Sequence, residues 1–133
     1  MTPGTLNLTA YRNVPFLEAI RFVGLDFTGG TFALQVRDYV AAEGSALLTL
    51  GNATAGTQGL SVVVTEEDGL DVSTLTIQID EATIDALRPW PANGQKAKSG
   101  AVALRYDLII TATGLPKSRW LEGAFTIAEG VTV

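Results

Sequence analysis

The chain of 133 residues contains no cysteine and no histidine. Without cysteine there is no disulfide and no thiolate metal site, and the redox compartment leaves no mark on the composition. Without histidine the commonest general base and the commonest neutral metal ligand are missing. Charge is also scarce: 17% of residues are charged, against about 25% in ordinary soluble domains. Much of the surface is therefore made of Thr, Ser, Gly and Ala. Such a surface suits packing against copies or partners, and it equally suits an ordinary small-residue β protein. No apolar run approaches the ~18 residues that span a bilayer. Residues 1–12 lack the basic-then-apolar pattern of a signal peptide. The expectation is no membrane partner, and a chain that folds in the cytoplasm or leaves it within a larger assembly.

What is present is apolar: 47% of the residues are hydrophobic. A chain of this size is expected to form a single domain, 1–133, that buries roughly two-thirds of its unfolded surface without staples. The clearest pattern lies in the last thirty-odd residues. In 101–111, Leu104, Tyr106, Leu108 and Ile110 alternate with Arg105, Asp107, Ile109 and Thr111. In 118–133, Leu121, Gly123, Phe125 and Ile127 alternate with Trp120, Glu122, Ala124 and Thr126. A period of two is the strand period. The link 112–117 contains Gly114 and Pro116, which break strands and make turns. The two segments therefore predict a closing hairpin with one apolar face, and that face needs a second layer.

The same alternation predicts strands at 5–11, Phe16–Val23, Thr31–Arg37, 46–50, 60–65 and 71–79. In the cleanest of these, Phe32, Leu34 and Val36 point inward; in 71–79, Leu75, Ile77 and Ile79 do so. These two strands are the expected second layer beneath the hairpin. Breaks fall at Arg12–Pro15, at the glycines of 24–30, at 51–59 and at Asp68-Gly69, a hairpin signal. One piece is helical, 80–87: Asp80 is placed to cap it, Glu81 suits the positive end of its dipole, and Ile84 and Leu87 share a face. Seven or eight short strands with a turn every ten or so residues predict an all-β fold, an antiparallel β-sandwich with one short helix.

The residues that could carry chemistry are few. Glu66, Glu67, Asp68 and Asp71 are oxygen ligands of the kind calcium takes, but acidic hairpin turns are common on solvated surfaces. Asp80, Glu81 and Asp85 are explained as helix-start residues before they are explained as an acid/base pair. The loop 51–59 has glycines without the Lys-Ser/Thr ending of a phosphate loop. No cofactor is called for. Asn7 and Asn52 begin glycosylation-type triplets that read as chance. Residues 38–87 hold nine acidic residues and no basic one, whereas 88–119 hold Arg88, Lys96, Lys98, Arg105, Lys117 and Arg119 against Asp107 alone. The net charge of −5 and the small basic segment argue against nucleic acid. Either the two segments neighbour each other in the fold, or complementary faces steer copies into an assembly. Trp90 and Trp120 either cap the ends of the core or are exposed aromatics that anchor a sugar or a protein. With the basic loop of Lys96 and Lys98 they form the one candidate interaction surface.

Four motifs, in this order, carry a resemblance. They are LDFTGGTFALQVR leading into a strand, LTIQIDEATIDAL running from strand into helix, RYDLIIT, and WLEGAFTIAEGVTV with its VT ending. Spread over 25–133, they are similar to small sandwich domains of phage and prophage tails, among them the N-terminal domain of siphophage baseplate upper proteins and tail-fibre attachment domains. Each motif alone is weak; their order and spacing carry the likeness. The resemblance implies an immunoglobulin-like sandwich acting as a non-enzymatic plug or adaptor in a virion tail, assembled in the bacterial cytoplasm. It implies other tail or baseplate proteins as partners and several copies around a symmetry axis. It lends no catalytic or binding residue. In such proteins the domain leads a longer chain, whereas this one stops just after the VT element, as a standalone version or a fragment would. The competing expectation is a carbohydrate-binding or adhesin-type module using Trp90, Trp120 or Tyr106.

Overall fold

A computed structural model describes residues 3–38, 46–87 and 102–128. Its strands are β1 (Gly4–Thr5), β2 (Leu8–Tyr11), β3 (Phe16–Val23), β4 (Thr31–Arg37), β5 (Leu48–Leu50), β6 (Gly59–Glu67), β7 (Leu70–Ile79), β8 (Val102–Ala112) and β9 (Leu115–Ala128), with helix α1 (Glu81–Ala86) between β7 and β8. They form two sheets. One runs β1-β9-β8-β4-β5, with β2 also on β9; the other runs β3-β7-β6. The arrangement is an immunoglobulin-like sandwich of Greek-key connectivity. Among the described strands all pairings are antiparallel except those of β1 and β2, which run parallel to β9.

Each layer supplies one apolar face. Leu34, Val36, Leu104, Leu108, Ile110, Phe125 and Ile127 from the larger sheet meet Leu60, Leu75, Ile77 and Ile79 from the smaller, all buried. A fully buried side chain of this size contributes about 1.5–3 kcal/mol, so the interior needs no covalent staple. The second layer over the closing hairpin is β7 with its neighbours. The strand β4 does not join it; it pairs with β8 in the hairpin's own sheet, from Thr31 opposite Thr111 to Arg37 opposite Arg105. Alternation reports which face a side chain takes and is silent on which strand lies alongside.

The hairpin itself differs from the sequence expectation at its tip. The turn is Thr113-Gly114, with Gly114 at φ 79, and β9 already starts at Leu115, so Pro116 lies inside a strand. Two register shifts, between Leu108 and Ile109 and between Ile110 and Ala112, absorb the extra residues on β9. The first is a bulge, Leu121 facing Leu108 while Arg119 faces Ile109. An extra residue on one strand breaks its alternation. Trp120 consequently turns inward with Leu121 rather than outward with Glu122.

The first strand is also interrupted. Between β1 and β2 the Leu6 carbonyl stands so close to Gly123 that a Cβ there would overlap it. The Tyr106 hydroxyl donates to that carbonyl at 2.7 Å, and the Asn7 side chain accepts from the Ala124 N–H at 3.1 Å. Asn7 thus completes the ladder where the backbone has bent away. The Asp68-Gly69 turn forms as expected, with both residues at positive φ (53 and 79), the two-residue type I′ geometry.

Candidate functional site

Most polar side chains drawn inward by this fold serve the backbone. Arg12 is only 6% exposed. Its guanidinium donates to the carbonyls of Ile84 at 2.9 Å, Asp85 at 3.1 Å and Leu87 at 3.3 Å. They lie at the C-terminal end of α1, where helix carbonyls run out of intrahelical donors; that of Ile84 also accepts from the Leu87 N–H at 3.2 Å. Next to it, Asn13 adopts φ 70 and its N–H donates to the Asp85 carboxylate at 3.0 Å. The segment read as a simple break is therefore the C-terminal clamp of α1. At the other end, the Asp80 side chain makes no cap hydrogen bond. The Thr83 and Ile84 N–H groups are met instead by the Asp80 backbone carbonyl, and the Asp80 N–H donates to Gln58. Ile84 and Leu87 are buried together as expected.

Ser73 is fully buried, yet satisfied: its hydroxyl donates to the Leu25 carbonyl at 2.7 Å and accepts from the Phe27 N–H at 2.9 Å. It pins the 24–30 loop across the sandwich, so that Phe27 enters the core. Asp26 in that loop is held below the usual carboxylate range by the Thr28 hydroxyl, and also by the Thr28 N–H. Asn52 bridges the sheets. Its amide donates to the Gly30 carbonyl and accepts from the Phe32 N–H, both at 2.8 Å, while Gly51 and Ala53 bond to Leu60. With its side chain so engaged, Asn52 is scaffold.

The acidic turn does not converge on a cation. Glu67 pairs with Arg21 at 2.7 Å, and among the described residues no three acidic groups gather as metal ligands. Of the charge segregation, the described ion pairs are local: Arg21 with Glu67 in the small sheet, and Arg119 with Asp107 on the hairpin.

Of the candidate surface of Trp90, Lys96, Lys98 and Trp120, the structure describes Trp120 alone. Trp90, Lys96 and Lys98 lie outside the described residues. Trp120 is half-buried and packs edge-on against Phe27 and Phe22, with ring centroids 5.4 and 5.9 Å apart; its indole N–H is buried without a hydrogen-bond partner. Tyr106 is 4% exposed, and burial pushes its phenol up to about 12. Of the three aromatics considered for sugar stacking, Tyr106 is therefore interior and Trp120 half-buried against the core.

The most exposed apolar residues lie elsewhere, on the small sheet. Leu17 is 66% exposed, Val63 60% and Val23 59%. Leu17 and Val23 flank Ala19 and Arg21 on the outer side of β3, while Phe16, Ile20 and Phe22 face the core. The signal was in the sequence: FLEAIRFV is apolar at both odd and even positions, so whichever face packs inward, the other keeps apolar residues outside.

No protein-family model matches the chain, and no curated protein sequence matches it. Among the described residues no helix is long and apolar enough to cross a membrane.

Proposed function

We propose that the chain is a non-enzymatic structural or adaptor protein of a phage or prophage tail, working through protein–protein assembly in the baseplate or at a fibre attachment. The observation that carries the assembly half is the small sheet, whose β3 edge no strand among the described residues covers. Both its edges, β3 and β6, are long strands, and its outer face carries Leu17, Val23 and Val63. An exposed edge with apolar side chains is a template for another chain. Support for a scaffolding rather than chemical role comes from the polar side chains. Arg12, Asn7, Asn52, Ser73 and Tyr106 are all occupied in holding backbone. The tail half rests on the ordered motifs between residues 25 and 133. Its partners are other tail proteins and copies of itself, and it takes no cofactor and no nucleic acid.

The test is location. Tail particles purified from the host that encodes the chain are probed with an antibody against it. Labelling at one fixed level of the tail, in a constant ratio to the tube protein, is expected. Particles free of the chain would overturn the reading. A glycan-binding module remains the second reading, now dependent on Trp90; glycan-array binding abolished by Trp90→Ala would favour it.

A further inference from the structure

The hydrogen-bond phase of the small sheet shows which backbone groups face its open edge. The Gly24 N–H donates to the Asp71 carbonyl at 2.7 Å, so these residues form a directly bonded pair. In an antiparallel ladder such pairs alternate with non-bonded ones. The β3–β7 register runs unbroken from Val23 opposite Val72 to Phe16 opposite Ile79. Phe22, Ile20 and Glu18 therefore bond to β7. Leu17, Ala19, Arg21 and Val23 turn their N–H and C=O groups away from it. The opposite edge supports this phase: Glu67 and Leu70 close the two-residue turn, which makes Leu60 point outward, and Leu60 bonds outward to Gly51 and Ala53. Among the described residues no backbone group reaches the open side of β3. The four residues with open backbone are the same four whose side chains line the outer face.

We propose that two copies of this chain pair through β3, antiparallel about a two-fold axis at Ile20, joining their small sheets into one. The inference rests on the assembly reading above and names the edge, the partner and the register. Outer faces must stay together across the seam, so open residues meet open residues. Centring on Ile20 sets Leu17 opposite Val23 and Ala19 opposite Arg21 of the second copy. Every open N–H and C=O of the four residues is then bonded, and the exposed apolar side chains cover each other at both ends. Centring on Ala19 would set Val23 against Pro15, which has no N–H. Centring on Arg21 would set that arginine against its copy, a like-charge pair directly opposite. The Arg21 side chain is drawn toward Glu67 on β6, away from the seam, which leaves its backbone accessible. The other edge is the poorer candidate: on β6 only Val62, Val64 and Glu66 remain open beyond Leu60, beside the acidic turn.

An eight-residue edge is about 26 Å long. This is a small interface, with an expected dissociation constant on the order of 0.1 mM. Sedimentation velocity of the full chain from about 20 µM to 2 mM is expected to show monomer passing to dimer. Over the same range, amide exchange at Leu17, Ala19, Arg21 and Val23 should slow, while Val62 and Val64 stay unchanged. Ala19→Pro removes an open N–H that β7 does not use, and association should weaken at least tenfold. Should Ala19→Pro fail to fold, Leu17→Lys gives the same reading, and adding Val23→Glu should restore pairing, because the two introduced charges face each other only in the Ile20-centred register. A dimer unaffected by Ala19→Pro and Leu17→Lys would overturn the seam and leave the assembly reading standing. A monomer at 2 mM would overturn self-pairing, whereas the tail reading is decided separately by the particle labelling.

Discussion

Arg12 offers the most direct test of how this sandwich is held together. Its side chain runs from the end of β2 to the end of α1 and is nearly inaccessible to water. A hydrogen bond to a charged group contributes about 1.5–3 kcal/mol, and a cation at a helix C-terminus up to about 2. These cannot simply be added, because the guanidinium is desolvated and its bond to Leu87, at 3.3 Å, is long. For Arg12→Ala a loss of about 3 kcal/mol follows, since the Asp85 and Leu87 carbonyls lose this donor and that of Ile84 keeps only the Leu87 N–H. That is a large part of the roughly 5–15 kcal/mol that stabilises a domain, and it lowers the melting temperature by roughly 10–15 °C. Arg12→Lys keeps the charge but cannot spread across three carbonyls, so about 2 kcal/mol is lost. The assay is urea unfolding, read as a shift in midpoint at constant slope. Because the site is buried, the effect should persist at high salt. If Arg12→Ala costs under about 1 kcal/mol, or Arg12→Lys behaves as the native chain, the clamp is not what fixes α1.

Three further substitutions probe the hairpin. Gly123→Ala drives a Cβ into the Leu6 carbonyl and should destabilise by about 1–3 kcal/mol, detaching β1 first, as faster amide exchange at Leu6 and Ala124 would show. Tyr106→Phe removes the bond to Leu6 and should cost about 1 kcal/mol. The folded phenol, raised to about 12, lies above the unfolded value of 10, so the native chain keeps its full stability below pH 10 and loses it as pH rises toward 12; chemical denaturation across that range should show Tyr106→Phe losing less. Trp120→Ala should cost about 3 kcal/mol through its lost contacts with Phe22 and Phe27, and a variant of native stability would return the indole to the surface.

The strands were legible in advance because alternation is local: a run such as TFALQVR states its own buried face, and Phe16–Val23 and Thr31–Arg37 form with the bounds their residues imply. Asp68-Gly69 and the Ile84/Leu87 pair were legible for the same reason. What alternation cannot state is adjacency. That β4 lies beside β8 rather than beneath it, and that β2 runs parallel to β9, depend on chain reversals whose energies are spread over many residues. The inward turn of Trp120 needed the bulge, and a bulge is set by two strands jointly. The roles of Arg12 and Asn52 were hidden because their partners, the carbonyls of residues 84–87 and the backbone of Gly30 and Phe32, come near only once the sheets have packed.

The closing hairpin shows the division most clearly. Its apolar residues alone determined that it would be a strand pair with one dry face, since period two follows from the geometry of a single chain. Only the tertiary structure decided what covers that face, which strand receives its edges, and that β3 ends the small sheet with no described strand beyond it. Those outcomes are set by register and by the hydrogen-bond phase between strands, and neither quantity exists until distant segments meet.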